Sequence, residues 1–155
     1  MPVKPIPDDM PVISPYLTVS DADAAIAFYA KAFSAEELVR LKMPGGKIGH
    51  SQLRIGSGLF MVADAFPEMG FEAPGKDAPP PVTMHMYVAD VDAFVAKATA
   101  AGAVLERPVE DHFYGDRAGT LRDPFGHRWY VSTRVRDVPL EDMQGLLDTT
   151  FSSGA

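Results

Sequence analysis

The chain contains no cysteine and no long apolar segment. Without cysteine there are no disulfide bonds and no thiolate zinc sites, so any metal would have to be held by His, Asp or Glu. No stretch approaches the roughly 18 to 20 apolar residues that a transmembrane helix requires. Residues 1–7 also lack the apolar core of a signal peptide. These absences predict a cytoplasmic protein that does not insert into a membrane.

Basic residues are fewer than acidic residues in this chain. The 155 residues include 14 Lys and Arg against 21 Asp and Glu, which gives a net charge of −7. Because a nucleic-acid surface must neutralise phosphates, no nucleic-acid partner is expected. The charge mildly favours a cationic ligand, although ordinary solubility is the favoured explanation. The length predicts one domain, or two small half-domains that share a core.

The chain contains an internal repeat. Residues 13–24, ISPYLTVSDADA, align with residues 82–93, VTMHMYVADVDA, and the same offset places IGSGLFMV at 55–62 on PFGHRWYV at 124–131. In each copy a capping residue, Ser20 or Asp21 and then Asp90, precedes a helical apolar pattern. Three strand-like segments follow, near 36–43, 48–55 and 59–63 and near 103–108, 117–122 and 127–133. The repeat therefore predicts two β-α-β-β-β modules.

The predicted modules span about residues 12–64 and 82–135. Between them lies a Pro- and Gly-rich stretch, 65–81, which we expect to be a linker loop. Its Phe66, Met69 and Phe71 would cap a pocket or contact a partner subunit. Residues 136–155 are predicted to form a C-terminal tail with one short helix over 140–147.

Three motifs together resemble the vicinal oxygen chelate superfamily, which includes glyoxalase I, extradiol dioxygenases, fosfomycin-resistance enzymes and bleomycin-resistance proteins. They are the paired modules, the V-x-D-x-D helix entries at 19–23 and 88–92, and DPFGHRW at 123–129. FYGDR at 113–117 is similar to the PhnB-like branch of the glyoxalase/bleomycin-resistance-like proteins. The resemblance covers about residues 12–135 and implies a single α+β domain. Its two tandem modules would form a curved mixed sheet around a cavity, in a chain that assembles as a homodimer.

The resemblance also indicates where metal ligands would stand. Metalloenzymes of the superfamily use four His or Glu side chains, two in each module, and the matching positions here are Ser14, Met61, Thr83 and Tyr130. None is a strong ligand, and a divalent metal needs about three such donors. The usual metal site is therefore predicted to be absent and no cofactor is expected, while a divalent metal at shifted positions stays an open alternative.

Alternation along the strands assigns side chains to two faces of the sheet. Trp129 and Val131 fall in the core row. His50 and His85 fall on the cavity side, as candidates for proton transfer or for a relocated metal site with Asp111 or Asp116; hydrogen-bonded sheet residues are the alternative. The predicted ligand-binding residues on this side are Tyr16, His50, Gln52, His85, Tyr87, Arg128 and Tyr130.

The segment EDHFYGDRAG, residues 110–119, is rich in groups that bind small molecules. Loops of this composition on a rigid sheet often carry binding residues. We expect Phe113 and Tyr114 to stack on a flat ligand and Arg117 to hold a carboxylate or phosphonate. The alternative is an internal Asp116–Arg117 pair that fixes the loop.

Two functions are compatible with these residues. The first is a glyoxalase/bleomycin-resistance-like protein without the usual metal ligands that binds or sequesters a small aromatic or polar molecule. The second is an enzyme of lyase, isomerase or dioxygenase type that uses His50 and His85 as acid–base groups or as a relocated divalent-metal site. The sequence leaves the choice between binder and enzyme open, because a fold of this kind supports many reactions.

Overall fold

The computed structural model describes residues 2–75 and 77–152 and divides into two compact units. The first unit runs to Pro79 and includes Pro124–His127, and the second holds Pro80–Asp123 and continues from Arg128. Each unit contains one four-stranded mixed sheet. The predicted α+β class with two β-α-β-β-β modules is confirmed.

The two units have the same order of elements. In the first they are β1 (Tyr16–Val19), α1 (Ala22–Phe33), β2 (Glu36–Lys42), β3 (Ile48–Ile55) and β4 (Gly58–Asp64). In the second they are β5 (Thr83–Tyr87), α2 (Val91–Ala100), β6 (Val104–Asp111), β7 (Asp116–Arg122) and β8 (Arg128–Arg134), followed by α3 (Leu140–Ser152). The strand orders are β1-β4-β3-β2 and β5-β8-β7-β6, with β1–β4 and β5–β8 parallel and the other pairs antiparallel.

Helices α1 and α2 begin in the same way. The side chain of Asp21 accepts a hydrogen bond from the Ala24 N–H, and that of Asp90 accepts one from the Ala93 N–H, each at 3.1 Å. Each aspartate thereby satisfies a backbone donor that has no partner within the helix. The cap predicted from the repeat is confirmed in both copies.

Helices α1 and α2 each cover one face of the sheet in their own unit. Helix α1 buries Ile26, Tyr29 and Phe33, and in the second unit α2 packs against β6, β7 and β8. Trp129 is only 4% exposed, as its place in the core row predicts, and its indole N–H donates to Asp123 at 2.9 Å. The opposite faces of the sheets carry the polar and aromatic side chains.

The turn at 124–127 packs with the first unit, although it lies between two strands of the second. The Phe125 ring lies 6.1 Å from that of Phe28 and 6.3 Å from that of Tyr29. The His127 ring nitrogen Nε2 lies 2.9 Å from the carbonyl oxygen of Thr18. Gly126 has a φ of 93°, which an L side chain rarely adopts. The turn is therefore an element of packing.

Three sequence predictions need correction. Ser14 does not lie on the first strand, because β1 begins at Tyr16, and the preceding Pro15 offers a carbonyl to Met61 but has no N–H for a ladder. Helix α3 continues to Ser152 instead of ending at 147. The hydroxyls of Thr149 and Thr150 in this added turn bond to the carbonyls of Gly145 and Leu146.

The stretch 65–81 is also more structured than a plain loop. It contains a 3-10 turn, Pro67–Met69, and a β-bridge between Phe66 and Phe71. Across residues 2–75 and 77–152, no helix has the length and apolar character needed to cross a membrane.

Candidate ligand-binding clefts

The polar face of the second sheet carries a row of four side chains, one from each strand. Arg107 on β6 pairs with Thr120 on β7, Thr120 pairs with Tyr130 on β8, and Tyr130 pairs with His85 on β5. Directly paired residues of neighbouring strands project from the same face. The row therefore runs from a guanidinium at the β6 edge to an imidazole at the β5 edge.

His85 is held among aromatic rings. Its ring centroid lies 5.2 Å from that of Tyr130 and 4.8 Å from that of Tyr87, and its Nε2 lies 2.9 Å from the Ser132 hydroxyl oxygen. The Tyr87 hydroxyl in turn donates to the buried carboxylate of Asp116 at 2.8 Å. This arrangement fixes the orientation of the imidazole.

Tyr130 and Tyr114 meet above the middle of this row, where their hydroxyls form a hydrogen bond. Burial raises the pKa of the Tyr130 hydroxyl and the neighbouring Tyr87 raises it further, whereas the guanidinium of Arg107 acts in the opposite direction. Because the net direction is upward, Tyr130 stays a neutral phenol at neutral pH. It is suited to hydrogen bonding and ring contact.

The loop between β6 and β7 adds a wall of rings. The His112 and Tyr114 rings are nearly parallel, with 9° between their planes and 5.2 Å between centroids, and Phe113 stands edge-on to Tyr114 at 5.2 Å. Arg136 donates to the carbonyl oxygens of His112 and Phe113 at 3.3 Å each. These two hydrogen bonds tie the loop to the segment that follows β8.

The loop of His112–Tyr114 and the row from Arg107 to Tyr130 line a cleft of about 1110 Å³ in the second unit, large enough for a drug-sized molecule. Four of the residues predicted to bind a ligand line it, namely Phe113, Tyr114, Arg128 and Tyr130. Thr83, one of the four positions compared with metal ligands, also lines it. The remaining lining residues are Glu106, Arg107, Pro108, Glu110, Asp111, His112, Ala118, Gly119, Thr120, Thr150 and Phe151.

Strand β6 contributes charged residues that the sequence did not single out. Its register against β7 shifts twice, between Leu105 and Arg107 and between Arg107 and Glu110. A bulge re-aims the side chains around it, and here Glu106, Arg107 and Glu110 all reach the cleft. Pro108 was the available signal, because proline inside a strand marks an edge or a bulge.

The charges lining the cleft differ in whether they are paired. Glu106 accepts hydrogen bonds from Arg122 and Arg128 at 3.0 Å each. Burial alone would raise the pKa of the Glu106 carboxyl, but the hydrogen bonds from Arg128 and Arg122 hold it below its usual value. Arg107 and Glu110, by contrast, have no ion-pair partner within residues 2–75 and 77–152.

Arg117 lies outside the residues that line this cleft. It donates to both carboxylate oxygens of Asp92 on α2, at 2.8 and 3.0 Å, and to Asp111 at 3.2 Å. The hydrogen bond from Arg117 lowers the pKa of Asp92 below its ordinary value. Alternation explains the placement, because the next residue, Ala118, faces the cleft. Arg117 thus forms an internal ion pair, with Asp92 instead of the expected Asp116.

The first unit contains a separate group of the predicted residues. The Tyr16 hydroxyl lies 2.9 Å from Nδ1 of His50, whose Nε2 lies 3.2 Å from the amide nitrogen of Gln52. Burial raises the pKa of the Tyr16 hydroxyl.

The first unit also has a cavity of about 400 Å³, lined by Tyr16, Thr18, Met43, Gly49, Ala63, Asp64, Phe66, Met69 and Phe71. The three linker residues expected at a pocket therefore do line one.

Comparison with known proteins identifies the family. The model of the Glyoxalase/Bleomycin resistance protein/Dioxygenase superfamily matches residues 12–131. The chain belongs to this superfamily. An uncharacterized protein of Mycobacterium bovis, Mb0911c, is 42% identical over 145 residues, which is 90% of this chain and 93% of the relative.

Two solved structures are similar to this chain in fold. TioX from Micromonospora sp. ML1 is 29% identical with a TM-score of 0.61, covering 77% of this chain and 94% of TioX. A protein from Bacillus cereus, named as a putative 3-demethylubiquinone-9 3-methyltransferase, PhnB protein, has a TM-score of 0.63 at 16% identity, over 79% of this chain and 99% of the Bacillus chain. The second likeness establishes the fold alone.

The four positions that the sequence compares with metal ligands carry weak donor groups. Two of the four positions are held by Met61, which pairs with Tyr16, and by Tyr130, which pairs with His85. Their side chains offer a thioether and a phenol. Within residues 2–75 and 77–152, no three His, Asp or Glu side chains lie close enough together to hold a metal ion. Neither His50 nor His85 belongs to such a group there.

Proposed function

We propose that this superfamily member is a cytoplasmic protein that binds or sequesters a small aromatic molecule in the cleft of its second unit. The observation that carries the proposal is the wall of His112, Phe113 and Tyr114 beside Tyr130. Aromatic rings in offset or edge contact gain about 0.5–1.5 kcal/mol beyond the area they bury. Because Arg136 ties the loop to the segment that follows β8, less of that gain is lost to ordering.

The same geometry favours binding over proton transfer. His50 is hydrogen-bonded within the first sheet and His85 within the second, and neither lines the two clefts described above. A general base must reach the proton that it removes, either directly or through one water. The enzymatic alternative, with these histidines as acid–base groups, therefore has less support than the binding function.

The test is calorimetric titration with aromatic probes on Tyr114→Ala. Removing the ring should weaken binding about fivefold, which corresponds to a stacking energy of about 1 kcal/mol. The matched control is Phe71→Ala, since Phe71 is an exposed ring of the first unit that does not line this cleft. Unchanged affinity in Tyr114→Ala, or an equal loss in the control, would contradict the proposal.

A further inference from the structure

We infer that the molecule held in the cleft of the second unit carries a carboxylate or similar anionic group, which Arg107 binds while the ring stacks on the loop of His112–Tyr114. The inference rests on the proposed function and adds the chemical class of the ligand. It differs from the sequence-based expectation in the residue that takes the anion, because Arg117 lies on the helix side.

The position of Arg107 is set by the sheet. Its strand partner is Thr120, whose own partner is Tyr130, so the three side chains project from one face in one row. The register shifts on either side of Arg107 are what bring this edge residue into the lining. An anion at the guanidinium would therefore lie one or two strand spacings, roughly 5–10 Å, from the Tyr130 ring. A one- or two-ring acid spans that distance.

Charge pairing singles out Arg107. The other arginine lining the cleft, Arg128, is engaged by Glu106. Arg107 has no acidic partner in the part of the chain that the structure describes. Its positive charge opposes the rise in the pKa of the Tyr130 hydroxyl. A guanidinium presents parallel N–H donors that match a carboxylate in a bidentate geometry. The cleft thus holds one unused anion-binding group beside an aromatic wall.

Of the three carboxylates that line the cleft, Glu106 and Asp111 are paired with arginines, which leaves Glu110 as the charge that opposes an anionic ligand. It pairs with Ala118, one row away from Arg107, and it also lacks an ion-pair partner within the described residues. An anionic group bound at Arg107 would be repelled weakly by Glu110, since both lie at the open edge where water screens charges. Glu110 therefore provides a control of opposite sign on the same strand.

The experiment uses matched pairs of probes that differ only in charge: benzoate with benzamide, and indole-3-acetate with indole-3-acetamide. Calorimetry on the full chain at low salt should show each acid binding roughly tenfold more tightly than its amide, because hydrogen bonds to charged groups are the stronger ones. Arg107→Gln should remove this preference by weakening the acids far more than the amides, and Arg107→Lys should keep part of it. Glu110→Gln should preserve or slightly enlarge it.

Failure of the inference is distinguishable from failure of the proposed function. If acids and amides bind equally to the unaltered protein while Tyr114→Ala weakens both, the anion site is overturned and the aromatic-binding function stands. A preference that survives in a folded Arg107→Gln variant also overturns the anion site. If no probe of either charge binds to the unaltered protein, both proposals are overturned. If Arg107→Gln fails to fold, Arg107→Lys tests the assignment, because an unchanged preference in that folded variant overturns the role of the Arg107 guanidinium.

Discussion

Single residues of this protein join elements that are distant in sequence, and Asp64 is the clearest case. One of its carboxylate oxygens accepts the N–H of Ala22 at 2.8 Å, and the other accepts the N–H of Ile48 at 2.6 Å. The side chain thereby connects the start of α1 to the start of β3 from the end of β4. Both N–H groups are buried, and a buried backbone donor that loses its acceptor costs free energy.

Asp64→Asn should lower the free energy of unfolding by about 1–3 kcal/mol. An asparagine side chain has one acceptor oxygen and one donor nitrogen, so one of the two backbone N–H groups would face another donor. Chemical denaturation measures the change. The control is Asp137→Asn at an exposed ion pair of 3.9 Å, which should change stability by less than about 0.5 kcal/mol. Equal effects in the two variants would show that the Asp64 bonds contribute nothing.

The two arginines show where sequence reasoning about residues succeeds and fails. Arg117 stood out because it follows an aromatic loop, yet its place on β7 beside Ala118 turns it toward Asp92 on α2. Arg107 did not stand out, because regular alternation does not foresee the two register shifts that aim it at the cleft. Alternation places a side chain correctly only where the ladder is regular.

At the scale of elements, the repeat was the strongest predictor. Both helices follow a V-x-D-x-D entry, and in both the first aspartate caps the third residue beyond it. The ends of β3, α1 and α2 lie close to those expected from the sequence, because the buried residues of these elements recur at regular intervals. Strand β6 extends to Asp111, beyond the expected 108, because an edge strand with bulges shows no such period.

The equivalence of the two caps leads to a prediction. Asp21→Ala and Asp90→Ala should each lower the free energy of unfolding by about 1 kcal/mol, because each leaves a helix N–H without its side-chain acceptor. Asp21→Asn and Asp90→Asn should be nearly neutral, since asparagine caps as well as aspartate does. Thermal and chemical denaturation of the four variants provide the measurement. Asn variants as unstable as the Ala variants would show that the charge matters more than the cap.

At the scale of the whole molecule, the duplicated sequence produces two units that differ in their chemistry. The first has a cavity lined by Met and Phe side chains, whereas the second has a larger cleft with charged and aromatic walls. The turn at 124–127 belongs to the first unit although its sequence continues the second module. Sequence order could not reveal this, because the contacts of Phe125 with Phe28 and Tyr29 decide it.

We propose a homodimer, in which large apolar side chains that each unit leaves exposed would be removed from water at the contact, a change that lowers the free energy. Examples are Leu41, Met69 and Phe71 in the first unit and Val104 in the second. Light scattering behind a sizing column should give twice the mass of the chain. Because apolar contacts are not screened by ions, added salt should leave the dimer intact, in spite of the net charge of −7 on each chain. A single-chain mass at all protein concentrations would contradict the proposal, and dissociation by salt would show that the contacts are ionic.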